Sequence, residues 1–95
     1  MRLRWTRTAQ RDIRLVAEYI GAESPRASGK MILRIRSQTE ALAALPHLGR
    51  TGRVAGTREL VIADSPYIVA YRVHYAELEI LAVMHGARKW PEHLH

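Results

Sequence analysis

Residues 67–86 read YIVAYRVHYAELEILAVMHG. Two runs dominate this stretch, Tyr67 to His74 and Leu78 to His85. Both are rich in Val, Ile, Leu and Tyr, the types that fit a pleated, half-buried surface. The first run alternates, so Tyr67, Val69, Tyr71 and Val73 share one face. Ala76-Glu77 is read as a two-residue turn, which folds the runs into an antiparallel hairpin. A third β-rich run, Arg58 to Ala63, precedes them across an Asp64-Ser65-Pro66 turn. The three form a meander.

The upstream chain changes period. Ile13, Val16, Ala17 and Ile20 recur at i, i+3, i+4 and i+7, which is one stripe of a helix. Thr6 or Thr8 can cap its start, and Gly21 can end it. Ser24-Pro25 opens a second helix, with a hydroxyl cap followed by proline at the first helical position. Met31, Ile35, Leu42 and Leu45 continue at helical spacing until Pro46. A short link makes the two helices a hairpin. Arg2 to Trp5 alternates as a brief first strand. Residues 47–57, with Gly49, Gly52, Gly56, Arg50 and Arg53, read as a flexible basic loop. The expected architecture is α+β, in the order β-α-α-β-β-β, as one domain over residues 1–95. The helices cover one sheet face. If the first strand lies beside the last, the sheet has four strands.

The chain has 95 residues, a formal charge of +6 and no cysteine. Disulfides and thiolate metal sites are therefore excluded. Thirteen of the fifteen basic residues are Arg, a bias that suits phosphates or an acidic protein partner, or reflects codon usage alone. The five His residues show no metal spacing, so neither a metal nor a cofactor is expected. The longest apolar run is far short of a membrane span, and the charged start is unlike a signal peptide. A cytoplasmic protein without a membrane partner is the expectation.

Simple pairing from these turns places Arg72 opposite Leu81, Ile68 opposite His85 and Arg58 opposite Arg72. Arg58, Arg72 and His85 then share a face with Leu60, Ile62, Ile68, Ala70, Leu81 and Val83, while the Tyr/Val set faces the helices. His85 would lie about 14 Å from the two arginines at strand spacing.

Three segments together, GTREL at 56–60, PYIVAYRV at 66–73 and EILAVMHGARKWP at 79–91, resemble the RelE/ParE superfamily of toxins from bacterial type II toxin–antitoxin systems. The resemblance covers nearly the whole chain. It implies a cognate acidic antitoxin, held in a hetero-oligomer, and one of two activities. ParE-like members inhibit DNA gyrase by protein contact and arrest growth. RelE-like members cut mRNA on the ribosome. In RelE-like nucleases an Arg sits on the central strand, and the matching position here is Ile68. Tyr-Arg-Val at 71–73 and Val-Met-His at 83–85 look closer to the ParE side, so gyrase is the expected target.

On that reading the target-binding candidates are Arg58, Arg72, His85, Arg88, Lys89 and Trp90. No catalytic set is firm. A nuclease would use Arg58, Arg72 or Arg88 on phosphate and His85 as acid or base. The antitoxin candidates are Ile13, Val16, Ile20, Met31, Ile35, Leu81 and Val83. Each basic or aromatic candidate also has a plain structural role open to it: Arg72 could pair with Glu59 or Glu79, and His85 could hydrogen-bond a neighbour at its strand end.

Overall fold

The computed structural model describes residues 1–87. Strand β1 (Arg2–Trp5) leads into helix α1 (Arg7–Gly21) and helix α2 (Pro25–Glu40). Strands β2 (Arg50–Thr51), β3 (Arg58–Val61), β4 (Tyr67–His74) and β5 (Glu77–His85) follow. They form one five-stranded sheet in the order β1-β5-β4-β3-β2. β1 runs parallel to β5, and the other pairs are antiparallel. The α+β class and element order are as the sequence implied. The first strand does lie beside the last, and the fifth strand, β2, comes from the segment read as a loop.

Both helix starts follow their side-chain chemistry. Thr6 Oγ1 accepts from the Ala9 N–H at 3.2 Å, and the same hydroxyl donates to the Ile80 carbonyl at 2.9 Å. One residue thus caps α1 and fastens it to β5. Ser24 Oγ accepts from the Ala27 N–H at 3.1 Å, with Pro25 opening α2. Ser28 Oγ donates to the Ala17 carbonyl at 2.7 Å, which ties the hairpin together. α2 stops at Glu40, and a 3-10 turn (Ala41–Ala43) carries the chain on. That tightening keeps Leu42 buried but turns Leu45 outward, contrary to its place on the expected stripe.

The core lies between the hairpin and one sheet face. Ile13, Val16 and Ile35 meet Leu60, Ile62, Tyr67, Val69, Tyr71, Leu78, Ile80 and Val83 there. The Tyr/Val face of β4 therefore packs on the helices, as its alternation implied.

The strand register differs from simple turn arithmetic in three ways. The β4–β5 turn is Tyr75-Ala76, so His74 pairs with Glu77. Glu77 joins the strand, where its carboxylate meets Arg4 of β1 at 3.5 Å. Next, Tyr71 pairs with Ile80 but Ala70 with Ala82, so Leu81 is the extra residue of a β-bulge. A bulge changes the facing of everything beyond it. His85 therefore lies opposite Tyr67 rather than Ile68. Finally, Val61 pairs with Ile68, so Arg58 faces Tyr71 rather than Arg72.

The expected shared face of Arg58, Arg72 and His85 is accordingly overturned. Arg58 and His85 project on the helix side, at opposite ends, and Arg72 on the other. Leu60, Ile62 and Val83 also belong to the helix side. Ile68 and Ala70 are buried on the opposite face.

Tyr71 anchors the segment before β2. Its hydroxyl accepts from the Gly49 N–H at 2.9 Å and donates to the Pro46 carbonyl at 2.8 Å. Burial pushes this phenol's pKa up, with the Gly49 N–H acting against the rise. A Cβ at Gly49 would lie 2.7 Å from the Tyr71 ring and 2.9 Å from the Glu59 carbonyl, so the approach requires glycine. Tyr71→Phe leaves a buried N–H without its acceptor and a carbonyl without its donor. A loss of about 1–3 kcal/mol is expected, read as a lower urea midpoint with an unchanged m-value.

Candidate functional site

Two arrangements hold the chemistry-bearing side chains. The first is on the sheet face away from the helices. Glu59, only 3% exposed, lies beside Arg50 across the β2–β3 ladder. Arg50 Nη2 approaches Glu59 Oε1 at 2.9 Å, while the Arg53 N–H and Nε reach Oε2 at 2.8 and 3.2 Å. Glu79, 5% exposed, is flanked by Arg4 of β1 and Arg72 of β4 in one cross-strand row. Arg72 Nε donates to its Oε1 at 2.7 Å, and Arg4 pairs with Oε2. A buried carboxylate needs such partners, since desolvation alone would neutralise it.

Arg72 is thus committed to a carboxylate, one of the structural roles open to it from sequence. Arg58 is committed as well: its Nη1 donates to the Gly49 carbonyl at 2.8 Å. It braces the same segment that Tyr71 holds.

The second arrangement is a cleft of about 220 Å³ between α1 and the end of β5. Asp12, Leu15, Val16, Tyr19, Tyr67, Val83, Met84 and His85 line it. β1 stops pairing at Ile80, so among the described residues no strand pairs with the outer edge of β5 beyond it. Asp12 supplies the missing partner there, its Oδ2 accepting from the Val83 N–H at 3.0 Å. Burial raises the Asp12 pKa, against the lowering effects of that hydrogen bond and of nearby Arg11. His85 stands edge-on to Tyr67 with ring centroids 5.7 Å apart, and its Nδ1 accepts from the Ala87 N–H at 3.2 Å. Asp12 therefore orients a strand edge and not the imidazole.

The candidates from sequence divide accordingly. The structure brings His85 into a cleft but separates it from Arg58 and Arg72. Arg88, Lys89 and Trp90 lie outside the described residues. Among the antitoxin candidates, Ile13, Val16, Ile35, Leu81 and Val83 are buried in the protein's own interior, and Ile20 and Met31 are partly buried. The apolar groups that the cleft presents outward are Leu15 and Tyr19. Both escaped sequence reasoning because they fall off the main stripe. Asp12 escaped it too, although it sits one turn before Val16 and so borders the buried face. Among the described residues, no group of three or more His, Asp or Glu side chains could hold a metal ion. None of the described helices is long and apolar enough to cross a membrane.

Comparison with known proteins settles the family. The family model described as ParE toxin of type II toxin-antitoxin system, parDE, matches residues 3–90. The chain belongs to the ParE toxin family. It is the toxin of a type II toxin–antitoxin system, and its partner is a cognate antitoxin. A protein of Sinorhizobium fredii with the provisional name toxin Y4kP is 44% identical over 91 residues, covering 96% of this chain and 94% of its own. Toxin RelE2 of Caulobacter vibrioides is 37% identical over 84 residues, covering 88% and 93%. A solved structure titled as the chromosomal ParDE TA system from P. aeruginosa superposes with a TM-score of 0.81 at 30% identity, covering 90% and 95%.

The two carboxylate sets give this toxin opposing pH responses. Burial pushes the Glu59 carboxyl upward, but the Arg53 N–H and the Arg50 and Arg53 guanidiniums outweigh it, and its pKa is lowered. Its contribution to stability is therefore present above the ordinary carboxylate pKa and lost as pH falls through the lowered one. Asp12, with a raised pKa, acts in reverse: stability falls as pH rises from its ordinary value through the raised one. In thermal melts from pH 3 to 7, Glu59→Gln should flatten the acid-side loss of Tm. Asp12→Asn should leave Tm higher than wild type near neutrality and closer to it in acid. Variants that track the wild-type curve would remove this assignment.

Proposed function

We propose that this toxin arrests growth by binding DNA gyrase through protein contacts, without cutting nucleic acid itself. The observation that carries this reading is Ile68. At the central-strand position where the RelE-like pattern has an arginine, this chain has a branched aliphatic side chain that is 7% exposed. Ile68 pairs with Met84, and its Cδ1 would lie 3.2 Å from a Cβ built on Gly86. Ile68 is buried there, and an aliphatic side chain offers no hydrogen bond to a phosphate. Arg72 on that face is bonded to Glu79, and His85 projects from the other side of the sheet. Among the described residues no cation and imidazole converge as phosphodiester cleavage requires. The family model and the P. aeruginosa structure, both carrying the ParDE name, support the same reading.

The contact surface on this proposal includes the cleft rim at His85, Tyr19 and Leu15, together with the tail that follows β5. Aromatic and arginine side chains of that tail, Arg88 and Trp90, are the types that dominate protein interfaces. The antitoxin would compete for the same region, laying an apolar segment against Leu15 and Tyr19 along the uncovered edge of β5. Both partners would be met in the cytoplasm.

A second reading is a ribosome-dependent mRNA endonuclease, favoured by the name of the Caulobacter relative, Toxin RelE2. It would take Arg88 and His85 as its phosphate-binding and acid–base groups. The purified toxin is expected to inhibit supercoiling by gyrase and to accumulate double-strand breaks that require gyrase. Tyr19→Ala should reduce both effects at least tenfold while the fold stays intact by circular dichroism. Unchanged supercoiling together with cleavage of mRNA on programmed ribosomes would replace the gyrase reading with the nuclease.

A further inference from the structure

Helix α1 carries a second surface that neither the cleft nor the sheet networks use. Arg7, Arg11 and Arg14 recur at i, i+4 and i+7, so all three project from one stripe of the helix. That stripe lies opposite the buried Ile13 and Val16, and all three side chains are exposed. Thr8 and Gln10 lie with them along the same shallow surface. Among the described residues, none of the three arginines has a carboxylate within ion-pair distance. The nearest acids are already occupied or sit at the margin. Asp12 is turned beneath the helix onto the Val83 N–H, though close enough to Arg11 to feel its charge. Glu77 and Glu79 are held by Arg4. Glu18 is on the same stripe one turn past Arg14 and marks its end.

We propose that this stripe is a docking surface for duplex DNA, gripping the phosphate backbone of one strand. Arg7 to Arg14 spans about 10 Å of helix axis, and each long guanidinium side chain can reach a phosphate of its own on one duplex strand. The surface is polar throughout, which distinguishes it from the apolar cleft where an amphipathic protein segment would seat. It also lacks a platform for unpaired bases, whose recognition depends on open aromatic faces. Among the described residues, the aromatic ring beside Gln10 and Arg14 is that of Trp5, which the Arg36 guanidinium covers at 5.0 Å from its centroid. Arg36 is itself exposed and extends the positive field from α2. Backbone-only contact by guanidiniums gives sequence-independent binding with strong salt dependence.

The inference does not rest on the gyrase reading, because the isolated toxin would bind DNA with no enzyme present. Fluorescence anisotropy with a labelled mixed-sequence duplex of about 20 base pairs, repeated across a salt series, tests it. For three phosphate contacts the slope of log K against log salt should be near −2.7, at about −0.9 per contact. Arg7→Gln with Arg11→Gln should flatten that slope by about 1.8, and Arg14→Gln alone by about 0.9. Arg26→Gln with Lys30→Gln removes the same charge at the opposite end of the hairpin and should leave the slope unchanged. Melting curves of all variants should match the wild type, since every substituted side chain is exposed. Equal weakening by the two charge-matched pairs would show a net-charge effect and overturn the proposal. Binding of single-stranded RNA, or of polyglutamate, as tight as binding of the duplex would overturn it as well.

Discussion

Strand β5 is held on both edges, by β4 antiparallel and by β1 parallel, and the placement of every other element follows from that double constraint. The parallel partner, β1, precedes both helices in the chain, so the first and last described strands lie side by side. Thr6 then joins helix to strand, because its hydroxyl serves the α1 N-terminus and the Ile80 carbonyl at once. β1 is short, and where it ends β5 has an unfilled edge. Asp12 fills part of it. The cleft beside His85 exists because the strand continues past its neighbour.

The same geometry sorts the charges. A chain with this excess of arginine could have presented a uniformly positive sheet. Instead the two buried carboxylates, Glu59 and Glu79, each draw two arginines onto one face. Desolvated acids of this kind are tolerated only when paired, and the pairs cross strand boundaries. Four arginines against two glutamates leave that face positive, but each of these guanidiniums is held by a carboxylate. Arginines without a carboxylate in ion-pair distance among the described residues include Arg7, Arg11 and Arg14 on the helix surface.

These features combine into one picture of how a small toxin could work without chemistry of its own. The apolar cleft with Leu15 and Tyr19 suits a protein segment, and the arginine stripe on the same helix suits a polyanion. Both surfaces belong to α1 and so move as one rigid unit. A molecule that must hold an enzyme in a DNA-bound state would need both kinds of contact at a fixed separation. Antitoxin seated in the cleft would block the first contact and leave the second open.

Much of the fold was legible locally. The i, i+3, i+4, i+7 stripe of α1, the Ser24-Pro25 start of α2 and the alternation of β4 are short-range patterns imposed by helix and strand periods. They identified the elements, their order and the β4 face that meets the helices. The three segments at 56–60, 66–73 and 79–91, with the element order, pointed to the toxin family by resemblance. Register was not legible, because the bulge at Leu81 leaves no mark in a uniformly apolar run, and one extra residue reverses the facing of His85. β2 was not legible either: Arg50-Thr51 is strand only because Glu59 sits across from it and Tyr71 pins Gly49. Partner choice for Arg58, Arg72 and Asp12 likewise depends on groups distant in the chain. Sequence determined which segments become helix or strand, since those preferences are local. Tertiary structure decided which side chains meet, since cross-strand pairing and burial depend on long-range register.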